Sequence, residues 1–214
     1  MIFFVPGYDP ATEANLALAV RILPETSHAL LGEHATRERL LTALADQGSA
    51  LFALSHGRST AILEQAGTPA LTSEDTGVLG QRPVFAYACN TATILGRIAA
   101  QKGATWWGYA GSVTAPDVPE ILLPAIERVF IRIRDSFAAT ASAGERLRLL
   151  FDIAEECRQA EDLVDELQEA DPTLDVMNAY YCLLHLWQRL RLWESGAAEP
   201  LQHPEAPPPL LPLL

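Results

Sequence analysis

The chain has 214 residues, 49% of them hydrophobic and 20% charged, with a net charge of −12. That length can bury a substantial core, while the excess of negative charge repels nucleic-acid phosphates and anionic membrane surfaces, so neither is an expected partner. No apolar run approaches the roughly 18 residues of a membrane helix, and Met1 to Pro10 lacks the basic start of a signal peptide, which makes a cytoplasmic location the default expectation. The three cysteines, Cys89, Cys157 and Cys182, are odd in number and lack CxxC spacing. That pattern excludes a disulfide framework and fits a reducing compartment. The five histidines show no ligand spacing such as HExxH, and neither a metal nor another cofactor is expected.

In chain order, Ile2-Phe3-Phe4-Val5 is a short apolar run stopped by Pro6-Gly7, as a buried parallel strand would be. A helix is predicted over residues 12–22 and a second strand over 27–31. Another helix opens at Thr36, carries Leu40, Leu41 and Leu44, and stops at Gly48. Ala50 to Leu54 reads as a strand ending at Ser55-His56-Gly57, and Val84 to Ala88 as a strand ending at Cys89. Between them, Thr68 to Arg82 is polar and rich in turn residues. Cys89 leads into a predicted helix over residues 90–100, followed by an aromatic-rich strand over 104–109. The remainder reads as three helices: 118–137 with an interruption near Pro124, 143–170, and 174–193. Residues 200–214 are proline- and leucine-rich without periodicity, an extended tail. Strands alternating with helices imply an α/β fold with a mostly parallel sheet flanked by helices. The expected organisation is an α/β core over residues 1–142, a helical C-terminal extension over 143–197 packed on the same domain, and a tail over 198–214.

Two predicted strand ends carry reactive residues. Ligands of open parallel sheets bind outside the carboxyl ends of the strands, and there His56 and Cys89 would face one another as base and nucleophile for acyl transfer. Gly57 offers an unobstructed N–H which, with that of Cys89, would form an oxyanion hole. A helix starting just after Cys89 would favour its thiolate. Taken singly, each residue has a plainer reading: a small core thiol and an ordinary His-Gly turn.

The segments Phe52-Ala53-Leu54-Ser55-His56-Gly57, Leu71-Thr72-Ser73-Glu74-Asp75, Val84 to Ala92 and Gly103 to Tyr109, in that order, resemble the CHAT family of caspase-like cysteine peptidases. The likeness covers residues 1 to about 115. It implies a caspase–haemoglobinase-like sheet, peptide hydrolysis through a dyad of His56 and Cys89, and amides of Gly57 and Cys89 on the oxyanion. It also implies a regulated protease that cuts a protein or peptide partner, with a gasdermin-like pore former in bacterial defence or cell death among the candidates. Related peptidases that cut after Arg or Lys carry an acid two positions before the cysteine, where this chain has Tyr87. For the substrate pocket that leaves Asp75, Glu74 and Asp117 as acidic candidates from loops, Arg58 and Arg82 as basic residues near the motifs, and Trp107 as a wall if Trp106 faces the core. Cys157 and Cys182, on apolar helical stripes, read as core thiols. The rival reading is a catalytically silent scaffold of the same fold, working through its acidic helices and tail. A third is a different α/β enzyme that uses Cys89 for other acyl transfer.

Overall fold

The computed structural model describes residues 1–46 and 48–208. Apolar runs that end at turn residues form a six-stranded mixed sheet. Strand β1 (Ile2–Val5) pairs in parallel with β2 (His28–Leu31) on one side and β3 (Leu51–Leu54) on the other. Beyond β3 come β7 (Pro83–Tyr87) and β8 (Thr105–Tyr109), both parallel, and finally β9 (Leu190–Trp193), antiparallel to β8. The order is therefore β2-β1-β3-β7-β8-β9. Because the chain leaves β1 first to one side and later to the other, the direction of winding switches there. That is where open α/β sheets leave a crevice.

Helices cover both faces. Helix α1 (Pro10–Ile22) starts cleanly because Asp9 caps it, with Thr12 completing a reciprocal box and Pro10 in the first turn. Together with α4 (Leu123–Ser136), α5 (Ala143–Ala170) and α6 (Met177–Gln188), it buries one face of the sheet. On that face Phe3, Phe52 and Phe85 stack across β1, β3 and β7 with centroids 4.9 Å apart at each step. Their sequence neighbours Ile2, Phe4, Leu51, Ala53, Val84 and Ala86 point the other way, against α2 (Arg37–Asp46) and α3 (Leu95–Gln101). Strands hydrophobic on both faces are what a doubly covered sheet demands.

Four expectations need correction. The predicted helix over 174–193 ends at Gln188, and Leu190-Arg191-Leu192-Trp193 closes the sheet as β9. Its period is two: Leu190 and Leu192 join the core of α1 and α4–α6, whereas Trp193 packs on the opposite face. The segment read as a purely helical extension thus supplies the last strand. The helix after Cys89 begins at Leu95, six positions on, with turns between. Pro124 does not interrupt a helix: a 3₁₀ turn at Glu120–Leu122 leads into α4, and Pro124 lies in its first turn, where no N–H is needed. The stretch after His56 holds a small antiparallel sheet of β4 (Gly57–Arg58), β5 (Ala61–Leu63) and β6 (Pro69–Thr72).

The tail is anchored as far as it is described. Leu201 bridges to Leu192, and His203 and Ala206 are buried. The tail leucines Leu210, Leu211, Leu213 and Leu214 lie outside the described residues. Among the described residues no helix is long and apolar enough to cross a membrane.

Candidate active site

The register of the sheet places the two reactive residues level with one another. Leu54 of β3 is the parallel partner of Tyr87 of β7, and the Ser55 N–H extends the pairing to the Tyr87 carbonyl at 3.1 Å. His56 and Cys89 each lie two positions beyond that pair, at the carboxyl ends of adjacent strands near the winding switch. The contact is closest through Gly57. A Cβ at this position would lie 2.5 Å from the Cys89 carbonyl oxygen and 2.9 Å from Ala88 atoms, so only glycine lets the His-Gly segment cross the Ala88-Cys89 backbone. Gly57 also opens the hairpin. The His56 carbonyl accepts the Leu63 N–H at 3.0 Å, which makes Gly57–Ile62 the next, non-hydrogen-bonded pair of the ladder. The Gly57 N–H consequently points away from β5.

His56 has a partner that its spacing to Cys89 did not reveal. Its Nε2 lies 2.7 Å from Oδ2 of Asp9, and Tyr8 packs against the ring at a centroid distance of 5.9 Å. Asp9 Oδ1 meanwhile accepts the Thr12 N–H at 2.9 Å, so the capping bond of α1 fixes the carboxylate that fixes the imidazole. Burial pushes the Asp9 carboxyl up, but the bonds from Thr12 and His56 outweigh it and hold the group below its ordinary range. The signal in the sequence was Gly7-Tyr8-Asp9-Pro10 at the end of β1, the strand that flanks β3 on its other side.

Cys89 is half-buried. Its Sγ accepts the Val113 N–H at 3.3 Å. Asn90 takes a left-handed backbone with φ of 62°, unusual for a residue other than glycine and common at functional turns. Its N–H is held by the Gly111 carbonyl at 2.9 Å, and Thr91 Oγ donates to the Ala88 carbonyl at 3.0 Å. These bonds fasten the turn after Cys89 to the end of β8. The expected helix N-terminus is not at Cys89, since α3 starts at Leu95, too far along the chain to act on the sulfur.

The pocket residues expected from the sequence fare unevenly. Arg58 lines a cleft of about 1020 Å³ beside Cys89, together with Gly57, Asn90 and Gly111. Tyr87 is fully buried and lines no cleft. Its hydroxyl donates to the Thr114 carbonyl and lies 3.4 Å from the Cys182 sulfur, so it anchors the loop whose Val113 N–H meets Cys89. Trp107 is likewise fully buried, in the core of α1 and α4–α6, while Trp106 is buried on the opposite face, where Gly96 and Gly108 leave room for its indole. Asp75 forms a two-pronged ion pair with Arg37, at 2.7 and 2.8 Å, and accepts from Thr72. The Arg37 bonds hold the Asp75 carboxyl down at about 2. Asp75 is a strut between α2 and the small sheet. Asp117 is exposed, and no carboxylate is among the described residues that line the cleft. None of Asp75, Glu74 and Asp117 is among the described residues that line this cleft. Arg82, the other basic residue near the motifs, is buried, with bonds to the Leu44 and Val78 carbonyls.

The arrangement therefore comprises a half-exposed thiol, a histidine level with it, a carboxylate that orients the histidine, and a backbone amide free of the hairpin ladder. Chemically, a thiol, an imidazole and a carboxylate so placed are the groups that nucleophilic acyl transfer uses. Comparison with known protein families and with curated proteins finds no match to this chain.

Proposed function

We propose that the chain is a cysteine endopeptidase of the caspase-like type, with His56 and Cys89 as the catalytic dyad and Asp9 as the residue that positions His56. The observation that carries this reading is the shared level of His56 and Cys89 beyond the paired Leu54 and Tyr87, with the Asp9 carboxylate on the far nitrogen of the ring. Bonded to Asp9 through Nε2, the imidazole keeps Nδ1 for the reaction. The thiolate sulfur of Cys89 attacks the scissile carbonyl carbon, forming a C–S bond and an oxyanion held by the amides of Gly57 and Cys89. The C–N bond then breaks as His56 hands a proton to the leaving amine. Water, giving a proton to His56, attacks the thioester. The C–S bond breaks, releasing the acid and the free enzyme.

The likeness to CHAT-type peptidases extends the reading to a regulated cut in a dedicated cytoplasmic protein, with a gasdermin-like pore former as the case to assay. Digestion of a diverse peptide library by the purified protein, read by mass spectrometry, tests the activity. Cleavage after one or two residue types is expected, lost by more than about a thousandfold in both Cys89→Ala and His56→Ala. Cleavage that persists in Cys89→Ala would refute the dyad. A Cys89→Ala protein with full biological activity would turn the reading to a scaffold.

A further inference from the structure

The described end of the tail folds back across the molecule and is held at alternate residues. The Leu201 N–H donates to the Leu192 carbonyl at 2.8 Å and its carbonyl accepts the Leu192 N–H at 2.9 Å, so the tail takes the outer edge of β9. Glu205 pairs with Arg158 of α5 at 2.7 Å. The Pro207 carbonyl accepts from Nη2 of Arg191 at 2.9 Å. Pro207 and Pro208 thereby become part of the wall of the cleft that Arg58, Arg189 and Arg191 also line. Residues 194–200, which lead from β9 into the tail, are exposed or half-buried and turn at Gly196, whose φ is 74°.

His203 is the anchor whose state can change. Only 3% exposed, its ring lies in edge-to-face contact with Phe151 of α5 and Trp187 of α6, at centroid distances of 4.7 and 5.2 Å. Its Nδ1 accepts the Glu205 N–H at 3.2 Å, and its carbonyl accepts the Ala206 N–H at 2.9 Å. An accepting Nδ1 carries no proton, so the turn is built on the neutral imidazole with its proton on Nε2. A second proton can only go on Nδ1. There it would meet the Glu205 N–H head-on and leave a charge in an aromatic enclosure. Burial is the largest influence on the ring and holds it below the ordinary imidazole range; of the two charges that act on it, Glu205 of the tail favours protonation and Arg158 of α5 opposes it.

We propose that residues 201–208 are a strap that closes one side of the cleft and that protonation of His203 releases it. The strap stands independently of the peptidase reading. Where that reading holds, release opens a cleft whose walls include Gly57 and Asn90, both next to the dyad. A released ring takes up its proton at the ordinary histidine value and a docked ring only at lower pH. Docking is therefore complete well above about pH 6.5 and weakens as the pH falls below it.

Amide hydrogen exchange of the full chain, read residue by residue by NMR and corrected for intrinsic rates, tests the strap. Between about pH 7.5 and about pH 5.5 the protection of the Leu201, Glu205 and Ala206 N–H groups should fall by about five- to tenfold, while that of the β7 amides stays level. His203→Asn keeps an acceptor for the Glu205 N–H, as an Asx turn, and does not titrate. Its tail should be protected to within about threefold of the wild type at the higher pH, with no fall at the lower. Unchanged protection in the wild type, or the same fall in His203→Asn, would overturn the proposal. If His203→Asn leaves the tail open at both pH values, the ¹⁵N shifts of the wild-type ring decide. A midpoint at least about 0.5 pH below that of the same ring in a free peptide of the tail is expected, and an equal midpoint would overturn the strap. Failure of the peptide digestion above would sink the peptidase reading alone, since no turnover enters this measurement.

Discussion

The rim of the sheet and the core beneath it hold the same functional group in opposite surroundings. Cys89 stands half-buried at the end of β7, with an amide N–H on its sulfur and the His-Gly segment across its backbone. Cys157 and Cys182 lie a layer below, in α5 and α6, and both are fully buried. Burial pushes the Cys157 thiol well up and that of Cys182 to about 12, so neither forms a thiolate near neutral pH. A strand end, where the backbone turns and amides come free of the ladder, is the setting in which the proposed function asks a cysteine to act as a nucleophile. On a packed helix face the same side chain is a small apolar filler.

Substitutions at the rim are expected to cost activity, and substitutions in the core or the scaffold to cost stability. After the dyad itself, the largest effect should come from Gly57→Ala. A methyl group 2.5 Å from the Cys89 carbonyl oxygen forces the His-Gly segment off the Cys89 turn, and a rate loss of about a hundredfold is expected, with a destabilisation of about 2 kcal/mol by denaturant titration. An unchanged rate would mean that the crossing plays no part in the chemistry. Asp9→Asn comes next and is the sharper test, because asparagine caps helices as well as aspartate does. Stability should hold within about half a kcal/mol, while kcat falls by about 30-fold or more, since an amide no longer holds the ring in the orientation and tautomer the reaction needs. Asp9→Glu should recover part of the rate. If kcat is unchanged, Asp9 is only a cap.

In the core, Cys157→Ser should lower stability by about 1–2 kcal/mol, for a hydroxyl in an apolar helix interface, and leave peptide turnover as it was. The smallest effect belongs to Asp75→Asn. The Asp75 carboxyl is held at about 2, below its unfolded value, so its stabilisation is complete above about pH 4 and lost as the pH falls towards 2. The variant should be about 1 kcal/mol less stable at neutral pH and should show a flatter acid limb in thermal melts between pH 4 and 2. Because Asp75 braces Arg37 and not the cleft, cleavage preference should not move.

The same division accounts for what was legible in the sequence. Continuous apolar runs gave away β1, β3, β7 and β8, since a parallel sheet buried on both faces leaves no alternation to misread. His56 and Cys89 were legible because each follows such a run directly. β9 was not, because Leu190-Arg191-Leu192-Trp193 continues the apolar pattern of α6 and only the free edge of β8 decides that it extends. Tyr87 and Trp107 lie on strands that both faces bury, so alternation could not say which of their neighbours reach solvent. Asp9 lay hidden for a different reason. A capping aspartate needs no second role, and only the adjacency of β1 and β3 brings it to the imidazole. The arginine cleft was the least legible feature, since Arg58 lies about 130 residues in sequence from Arg189 and Arg191 and only the antiparallel return of β9 gathers them.

The most direct measurement of the central claim is intact-protein mass spectrometry after brief exposure to a set of peptidyl acyloxymethyl ketones that differ in the residue before the reactive group, followed by peptide mapping. Stoichiometric labelling of Cys89 alone is expected, slowed by more than about a hundredfold in His56→Ala and by about tenfold or more in Asp9→Asn. Labelling of Cys89 at the same rate in His56→Ala, or at the rate of a free thiol in solution, would contradict an activated Cys–His pair.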